Sequence, residues 1–331
     1  MSIPTTRFGN TGLQVSRLTL GTMTFGLQTD EATSHRILDK ATAAGINLID
    51  TADVYPLGGN FETVGKTEEI VGRWLKGKRD QFIVATKAVG KTGPKPWDQG
   101  ASRKHLVEAA EASLKRLGTD YIDLYQLHSD DANTPLDETI AALDDLVRSG
   151  KVRYIGVSNF LAYRLARALG KQDARRLARF VSVQPRYSLL FREIERELLP
   201  LAQEEGLAVI PYNPLAGGLL TGKHKPGAPT EGTRFTLGSA AGRYQERYWH
   251  EREFQTVTAL QAASADAGVS LTTAALAWVL SNPAITSPLI GASRPEQLDE
   301  TLAAASYTLD PALKARFDEI TAEYRHGDAA R

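Results

Sequence analysis

Short apolar runs, each closing on a small or chemically capable residue, alternate along this chain with amphipathic segments of helical period. The stretch Val152 to Val157 reads as a buried strand and runs directly into Ser158-Asn159; seven further runs end at Leu20, Asp50, Lys87, His128, Gln184, Tyr212 and Gly291. A buried strand that ends in polar groups makes a ledge at the mouth of a parallel sheet, where ligands bind. The intervening segments carry helical stripes. Ser102 to Leu117 sets Leu106, Ala109, Ala110, Ser113, Leu114 and Leu117 on one face, and Leu136 to Ser149 does so with Ile140, Leu143, Leu146 and Val147. Strand ends lie 26 to 41 residues apart as far as Tyr212 and 79 apart beyond it, so each interval has room for a crossover helix. Eight such units predict an α/β fold, a (β/α)8 TIM barrel, which commonly needs ~250 residues.

The surplus length falls at identifiable places. Phe8-Gly9-Asn10-Thr11-Gly12, between strand-like Thr5 to Arg7 and Leu13 to Val15, predicts a short N-terminal β-hairpin. Ala88 to Ala101 and Leu215 to about His250 are rich in turn-forming residues and predict long loops at the C-terminal face. No linker composition or internal repeat interrupts the pattern, so residues 1–331 read as a single domain. A doubly wound sheet with a separate domain is the structural alternative, but no G-x-G-x-x-G follows the first strand.

Composition narrows the function. With 39 basic and 39 acidic residues, the molecule has no overall field to draw it to nucleic acid or an anionic membrane. Absence of cysteine removes disulfides, thiolate nucleophiles and cysteine-bound metals, and the six histidines show no metal-binding spacing. No run approaches ~18 apolar residues, and the first residues do not have the pattern of a secretion signal. The expectation is a cytoplasmic protein acting on small molecules, with no metal, nucleic acid or membrane; monomer and homo-oligomer both remain open.

Four residues on successive strand ends carry the candidate chemistry: Asp50, Tyr55 five residues beyond it, Lys87 and His128. Each has an ordinary structural reading as a cap, a packing ring, a surface charge or a core histidine. In a barrel, however, these ends converge. A lysine closing an apolar strand needs a counter-charge, which Asp50 can supply. A nearby ammonium is expected to lower the Tyr55 pKa by ~1–3 units, making it a proton donor, with His128 orienting the accepting oxygen.

With these residues in place, the sequence resembles the aldo-keto reductase superfamily. The matching phrases are Gly45 to Tyr55 (GINLIDTADVY), Tyr121 to His128 (YIDLYQLH), Gly150 to Phe160 (GKVRYIGVSNF), Ile210 to Leu215 (IPYNPL) and Pro288 to Ser293 (PLIGAS). The extended loop Tyr55 to Glu68 is similar to that of the longer-looped bacterial branches, some of them related to potassium-channel beta subunits. The resemblance implies NADPH as the preferred cofactor and a tetrad of Asp50, Tyr55, Lys87 and His128. It also implies reversible hydride transfer between nicotinamide and a carbonyl carbon, with Tyr55 protonating the oxygen. A cofactor-sensing binding subunit with little turnover is the alternative.

The same resemblance assigns cofactor contacts. Gly21, Thr22 and Met23 follow the first barrel strand, and Ser158, Asn159 and Gln184 suit the nicotinamide amide, with Tyr212 facing the ring. Asn213, Pro214 and Leu215 lead into Gly217, Gly218, Leu219, Gly222 and Lys223, whose amides and cation suit a pyrophosphate. That segment nearly spells a P-loop, but His224 replaces the Ser/Thr that would hold magnesium. Gly291 precedes Ser293-Arg294-Pro295-Glu296, which reads as a capping box; Arg294 at this helix start suits a 2′-phosphate. Gln297 and Glu300 fall where the family contacts adenosine, while Thr301 departs from the usual asparagine. Phe25, Tyr55, Trp97, His128 and Tyr187 are the expected substrate pocket, with Met23, Phe235 and Trp249 as further apolar candidates. Arg234, Arg243, Arg247 and Arg252 are candidates to meet cofactor phosphate or an anionic substrate.

Overall fold

In the computed structural model, which describes residues 2–326, a two-stranded hairpin precedes eight parallel strands that alternate with helices. The hairpin strands are β1 (Thr5–Arg7) and β2 (Gln14–Ser16). The barrel strands are β3 (Thr19–Gly21), β4 (Leu48–Asp50), β5 (Ile83–Ala88), β6 (Ile122–Leu127), β7 (Val152–Ser158), β8 (Phe180–Gln184), β9 (Ala208–Val209) and β10 (Leu289–Ile290). They pair in the order β10-β3-β4-β5-β6-β7-β8-β9, and Leu289 N donates to Pro211 O at 2.8 Å to join the two edges. This is the predicted (β/α)8 barrel.

Helices α1 (Glu31–Ala43), α2 (Lys66–Leu75), α3 (Arg103–Leu117), α4 (Leu136–Arg148), α5 (Ala162–Arg175) and α6 (Leu198–Glu204) are followed by α7 (Ala241–Tyr248), α8 (Glu251–Asp266), α9 (Leu271–Ser281), α10 (Leu298–Ala303) and α11 (Pro311–Ile320). Local signals account for the bounds. Ser102 caps α3 by accepting from His105 N, and Gly118 ends it in the left-handed conformation. Strand residues that face outward pack on the helical stripes: Val84 and Ile49 with Ile37, Leu38 and Val71, and Leu127 and Val157 with Leu106, Leu143 and Leu165.

The floor of the barrel is a separate apolar layer. Leu48, Ala85, Leu124, Ala208, Ile210 and Leu289 point inward there, and the hairpin covers them from below with Phe8 and Val15. Burying a ring such as Phe8 contributes about 1.5–3 kcal/mol.

Three expectations need correction. β9 stops at Val209 rather than Tyr212, because Pro211 has no N–H to donate; Tyr212 makes only an isolated bridge to Arg186. His128 stands one residue beyond β6. The segment from Leu215 to His250 is a folded strap rather than an open loop, containing 3-10 turns and α7. An aromatic cluster pins it: Phe235 lies 4.5 Å from Trp249 and 5.1 Å from His224 between ring centroids, and Trp249 packs edge-on against Phe254 at 5.0 Å.

The seat of the hairpin is tested at Gly9. Its φ is 54°, and a Cβ there would lie 2.6 Å from Ala208 N and 2.7 Å from Gly206 O. Gly9→Ala is expected to lower stability by about 1–3 kcal/mol through backbone strain and overpacking. An unchanged urea midpoint would show that the hairpin does not press on the barrel floor.

Candidate active site

Strand alternation builds the site in layers. Along β5, Ala85 belongs to the apolar floor and Lys87 stands one pleat higher; along β6, Leu124 is followed on the same face by Gln126 and then His128. The layer above the floor is therefore polar. Asp50, Lys87, Gln126 and Gln184 occupy it, none more than 3% exposed.

A charge so deep is costly unless it is paired and fully hydrogen-bonded. Lys87 Nζ pairs with Asp50 Oδ1 and also donates to Thr51 O at 2.8 Å. The other Asp50 oxygen accepts from Gln126 Nε2 at 3.1 Å and Gln184 Nε2 at 2.9 Å. The ends of β3 and β4 are tied by Thr22, whose N–H and hydroxyl both donate to Asp50 O, at 3.0 and 2.9 Å.

Tyr55 and His128 lie above this layer, their rings edge-to-face with centroids 5.7 Å apart. Lys87 Nζ is 5.3 Å from the centre of the Tyr55 ring. The structure thus brings all four tetrad candidates together. Burial, reinforced by Lys87 and Arg243, holds the His128 pKa down to about 3, so its imidazole is neutral at physiological pH. Burial and then the Asp50 carboxylate push the Tyr55 hydroxyl well above its ordinary value. This overturns the expectation that Lys87 lowers it. Lys87 is committed to Asp50 and Thr51 O, and at Tyr55 burial and the Asp50 carboxylate outweigh it.

The cofactor candidates divide by position. Ser158 donates to Gln184 O at 2.7 Å. Asn159, left-handed at φ 56°, donates from Nδ2 to His128 O at 2.9 Å and accepts from the Tyr212 hydroxyl at 2.8 Å. These four line one side of the mouth, with Gln184 turned toward Asp50. Asn213 is also left-handed, and its buried Nδ2 has no partner. Gly218 and Gly222 donate their amides to Leu215 O and Leu219 O, while Gly217 packs beneath the Tyr244 ring and Gly222 against Gln261, so these amides are less open to a pyrophosphate than expected. His224 is buried in the aromatic cluster, and the strap has the geometry of 3-10 turns rather than of a P-loop. Gly21, Met23, Leu215 and Gly291 lie at the rim and are at least partly accessible; Pro214 and Leu219 are buried. Lys223, Arg294 and Glu300 are exposed.

The capping box is shifted. Pro295 occupies the first helical position, and Gln297 Oε1 reaches back to accept from Ser293 N at 2.8 Å and Arg294 N at 3.3 Å, while the Ser293 hydroxyl donates to the same oxygen. Glu296 takes no part in this cap. Thr301 is buried, its hydroxyl donating to Leu298 O.

The substrate pocket is corrected more heavily. Phe25 is fully buried in the packing between barrel and helices. Tyr187 is buried too, stacked near Trp278 at 5.3 Å, with its hydroxyl donating to Glu195. Phe235 and Trp249 are spent on pinning the strap. Trp97 remains at the rim, 47% exposed, with Lys95 over its ring. Gln126 is a site residue that the sequence reading did not single out. Its signal was an amide on the same strand face as Leu124 and His128. Behind the site, buried Glu68 accepts from Thr86 and from Arg116 at 2.6 Å, and buried Asp53 has no partner for either oxygen; burial and Glu68 raise the Asp53 pKa well above the usual range.

Comparison with known proteins agrees with this architecture. A family model described as the aldo/keto reductase family matches residues 17–322. An uncharacterized oxidoreductase of Bacillus subtilis, YrpG, is 41% identical over 95% of this chain and 95% of its own. A probable voltage-gated potassium channel subunit beta of Arabidopsis thaliana is 36% identical over 94% of each chain. The L-glyceraldehyde 3-phosphate reductase of Escherichia coli is 34% identical, over 89% of this chain and 86% of its own.

The buried pair yields a test. Lys87→Met strands the Asp50 carboxylate with two amide donors and no cation, and is expected to cost about 3–5 kcal/mol of stability. Urea unfolding measures it. The double variant Lys87→Met/Asp50→Leu should recover much of the loss; an equal loss in both would mean that packing, not the stranded charge, is responsible.

Proposed function

The chain belongs to the aldo/keto reductase family, and from that premise we propose that it uses NADPH to reduce an aldehyde or ketone to an alcohol, reversibly, with Tyr55 as the proton donor. The family membership makes it an NAD(P)H-dependent oxidoreductase acting on small carbonyl compounds. The single observation that carries the finer reading is the convergence of Tyr55 and His128 over the buried Asp50–Lys87 pair.

The residues at the mouth fit a nicotinamide cofactor. Ser158, Asn159 and Gln184 offer amide and hydroxyl groups, Tyr212 offers an aromatic face, and the unpartnered Asn213 Nδ2 is a donor still free to bind. Exposed Arg294, with Lys223, is available to a 2′-phosphate. When bound, the nicotinamide supplies the hydride. Tyr55, kept protonated by burial, gives its hydroxyl proton to the carbonyl oxygen. His128, neutral, donates a hydrogen bond that orients that oxygen. Asp50 and Lys87 hold the layer on which Tyr55 rests.

Tyr55→Phe keeps the ring and removes the proton, so reduction should fall by about 10²–10⁴-fold while cofactor binding persists. Near-wild-type turnover would remove Tyr55 from the acid role. Since the Tyr55 pKa lies above its ordinary value, the protonated form extends to higher pH; the wild-type rate of reduction should show no tyrosine-dependent loss up to about pH 10.

Arg294→Ala tests cofactor choice. A charge-assisted contact of roughly 1.5–3 kcal/mol corresponds to about tenfold to a hundredfold in affinity. Fluorescence titration should show that loss for NADPH and much less for NADH. An equal loss for both would make Arg294 structural, and no loss for either would put the phosphate elsewhere.

A further inference from the structure

The strap brings more positive charge to the barrel mouth than the reaction itself requires. Helix α7 is anchored by Tyr244 and Tyr248, both buried and one turn apart; Tyr244 packs against Gly217 and lies 6.3 Å from Phe235 between ring centroids. Arg243 and Arg247, also one turn apart, share the neighbouring face of the same helix. Arg247 stands close enough to the Tyr212 hydroxyl, and Arg243 to His128, for each charge to act on its neighbour's titration. A third guanidinium, Arg234, lies deeper, with Nη2 4.0 Å from the Cβ position of Gly291 and a buried Nη1 that has no partner.

Among the described residues none of these three arginines forms an ion pair with a carboxylate. Arg252, on the following helix, differs: it pairs with Glu253 at 2.6 Å and Glu323 at 3.7 Å. Asp50, the carboxylate inside the mouth, is already neutralised by Lys87. A chain with no net charge thus concentrates unopposed guanidiniums beside Tyr55 and His128. Guanidinium forks match the oxygens of carboxylates and phosphates.

We propose that Arg243 and Arg247 form an anion-recognition rim, so that the preferred carbonyl substrate carries a carboxylate or phosphate group. This inference rests on the carbonyl-reductase reading and names the substrate class for it. Arg234, being deeper, contributes to the same field. The rim leaves the reacting carbonyl to Tyr55 and His128 and holds the far end of the substrate.

Two matched pairs distinguish the sources of the anion: 4-carboxybenzaldehyde against its methyl ester, and glyceraldehyde 3-phosphate against glyceraldehyde. In at least one pair, kcat/KM should favour the anion by about tenfold or more, as one charge-assisted contact allows, and added salt should shrink that ratio. The double variant Arg243→Gln/Arg247→Gln should lower the ratio by a similar factor, while Arg252→Gln should leave it unchanged. A wild-type ratio near one for both pairs, or an unchanged ratio in the double variant, overturns the proposal. So does a loss of NADPH affinity in the double variant as large as the loss of selectivity, which would assign the arginines to the cofactor. If no carbonyl is reduced at all, the reductase reading fails, and titration with benzoate against benzamide decides the rim on its own: tighter benzoate binding that disappears in the double variant sustains it, and equal binding of the two overturns it.

Discussion

The interaction on which the site depends is the ion pair between Asp50 and Lys87, buried across the barrel interior. Taking two charges out of water costs several kcal/mol each, and their mutual attraction offsets this only when the remaining donors and acceptors are satisfied. Here they are satisfied in detail. Thr51 O takes a further Lys87 donor, Gln126 and Gln184 occupy the second Asp50 oxygen, and Thr22 closes on the Asp50 carbonyl. Five strands, β3, β4, β5, β6 and β8, are tied together by groups that could not be exposed to hydrocarbon unpaired. The polar layer is consequently both a structural clamp and the surface against which Tyr55 packs.

That layer is itself closed to water, none of its four side chains being more than 3% exposed. The hairpin seals the floor with Phe8 and Val15, leaving only the loop-bearing end open. At that end, burial acts in the same sense on both rings: it keeps the Tyr55 hydroxyl protonated and the His128 imidazole neutral. Burial and the Asp50 carboxylate, not Lys87, set the direction at the tyrosine. Tyr55 and His128 thus stand as two neutral groups over a compensated ion pair, set in a low-dielectric cup.

The mouth shows how little the overall charge says about local fields. Equal numbers of acidic and basic residues coexist with a strap that brings Arg247 near Tyr212 and Arg243 near His128, neither forming an ion pair with a carboxylate among the described residues. The strap can hold them because its own stability comes from elsewhere, from the packing of His224, Phe235, Tyr244, Trp249 and Phe254. Aromatics that composition alone would assign to substrate are instead the fasteners of the segment that carries the charges.

The alternation of apolar runs and helical stripes was enough to determine the barrel and the hairpin, and to bring Asp50, Tyr55, Lys87 and His128 to one end of the barrel. Period-two and period-3.6 patterns are local, and strand ends in a closed parallel sheet must converge at one face. Tertiary structure decided what depends on neighbours distant in the chain. Phe25 and Tyr187 are core rather than pocket because α-helices and the C-terminal segments close over them, which no local pattern reveals. Gln126 joins the site because its amide meets a carboxylate 76 residues away. The direction of the Tyr55 shift turned on burial first and on the Asp50 carboxylate second, and both depend on how distant segments close around the ring.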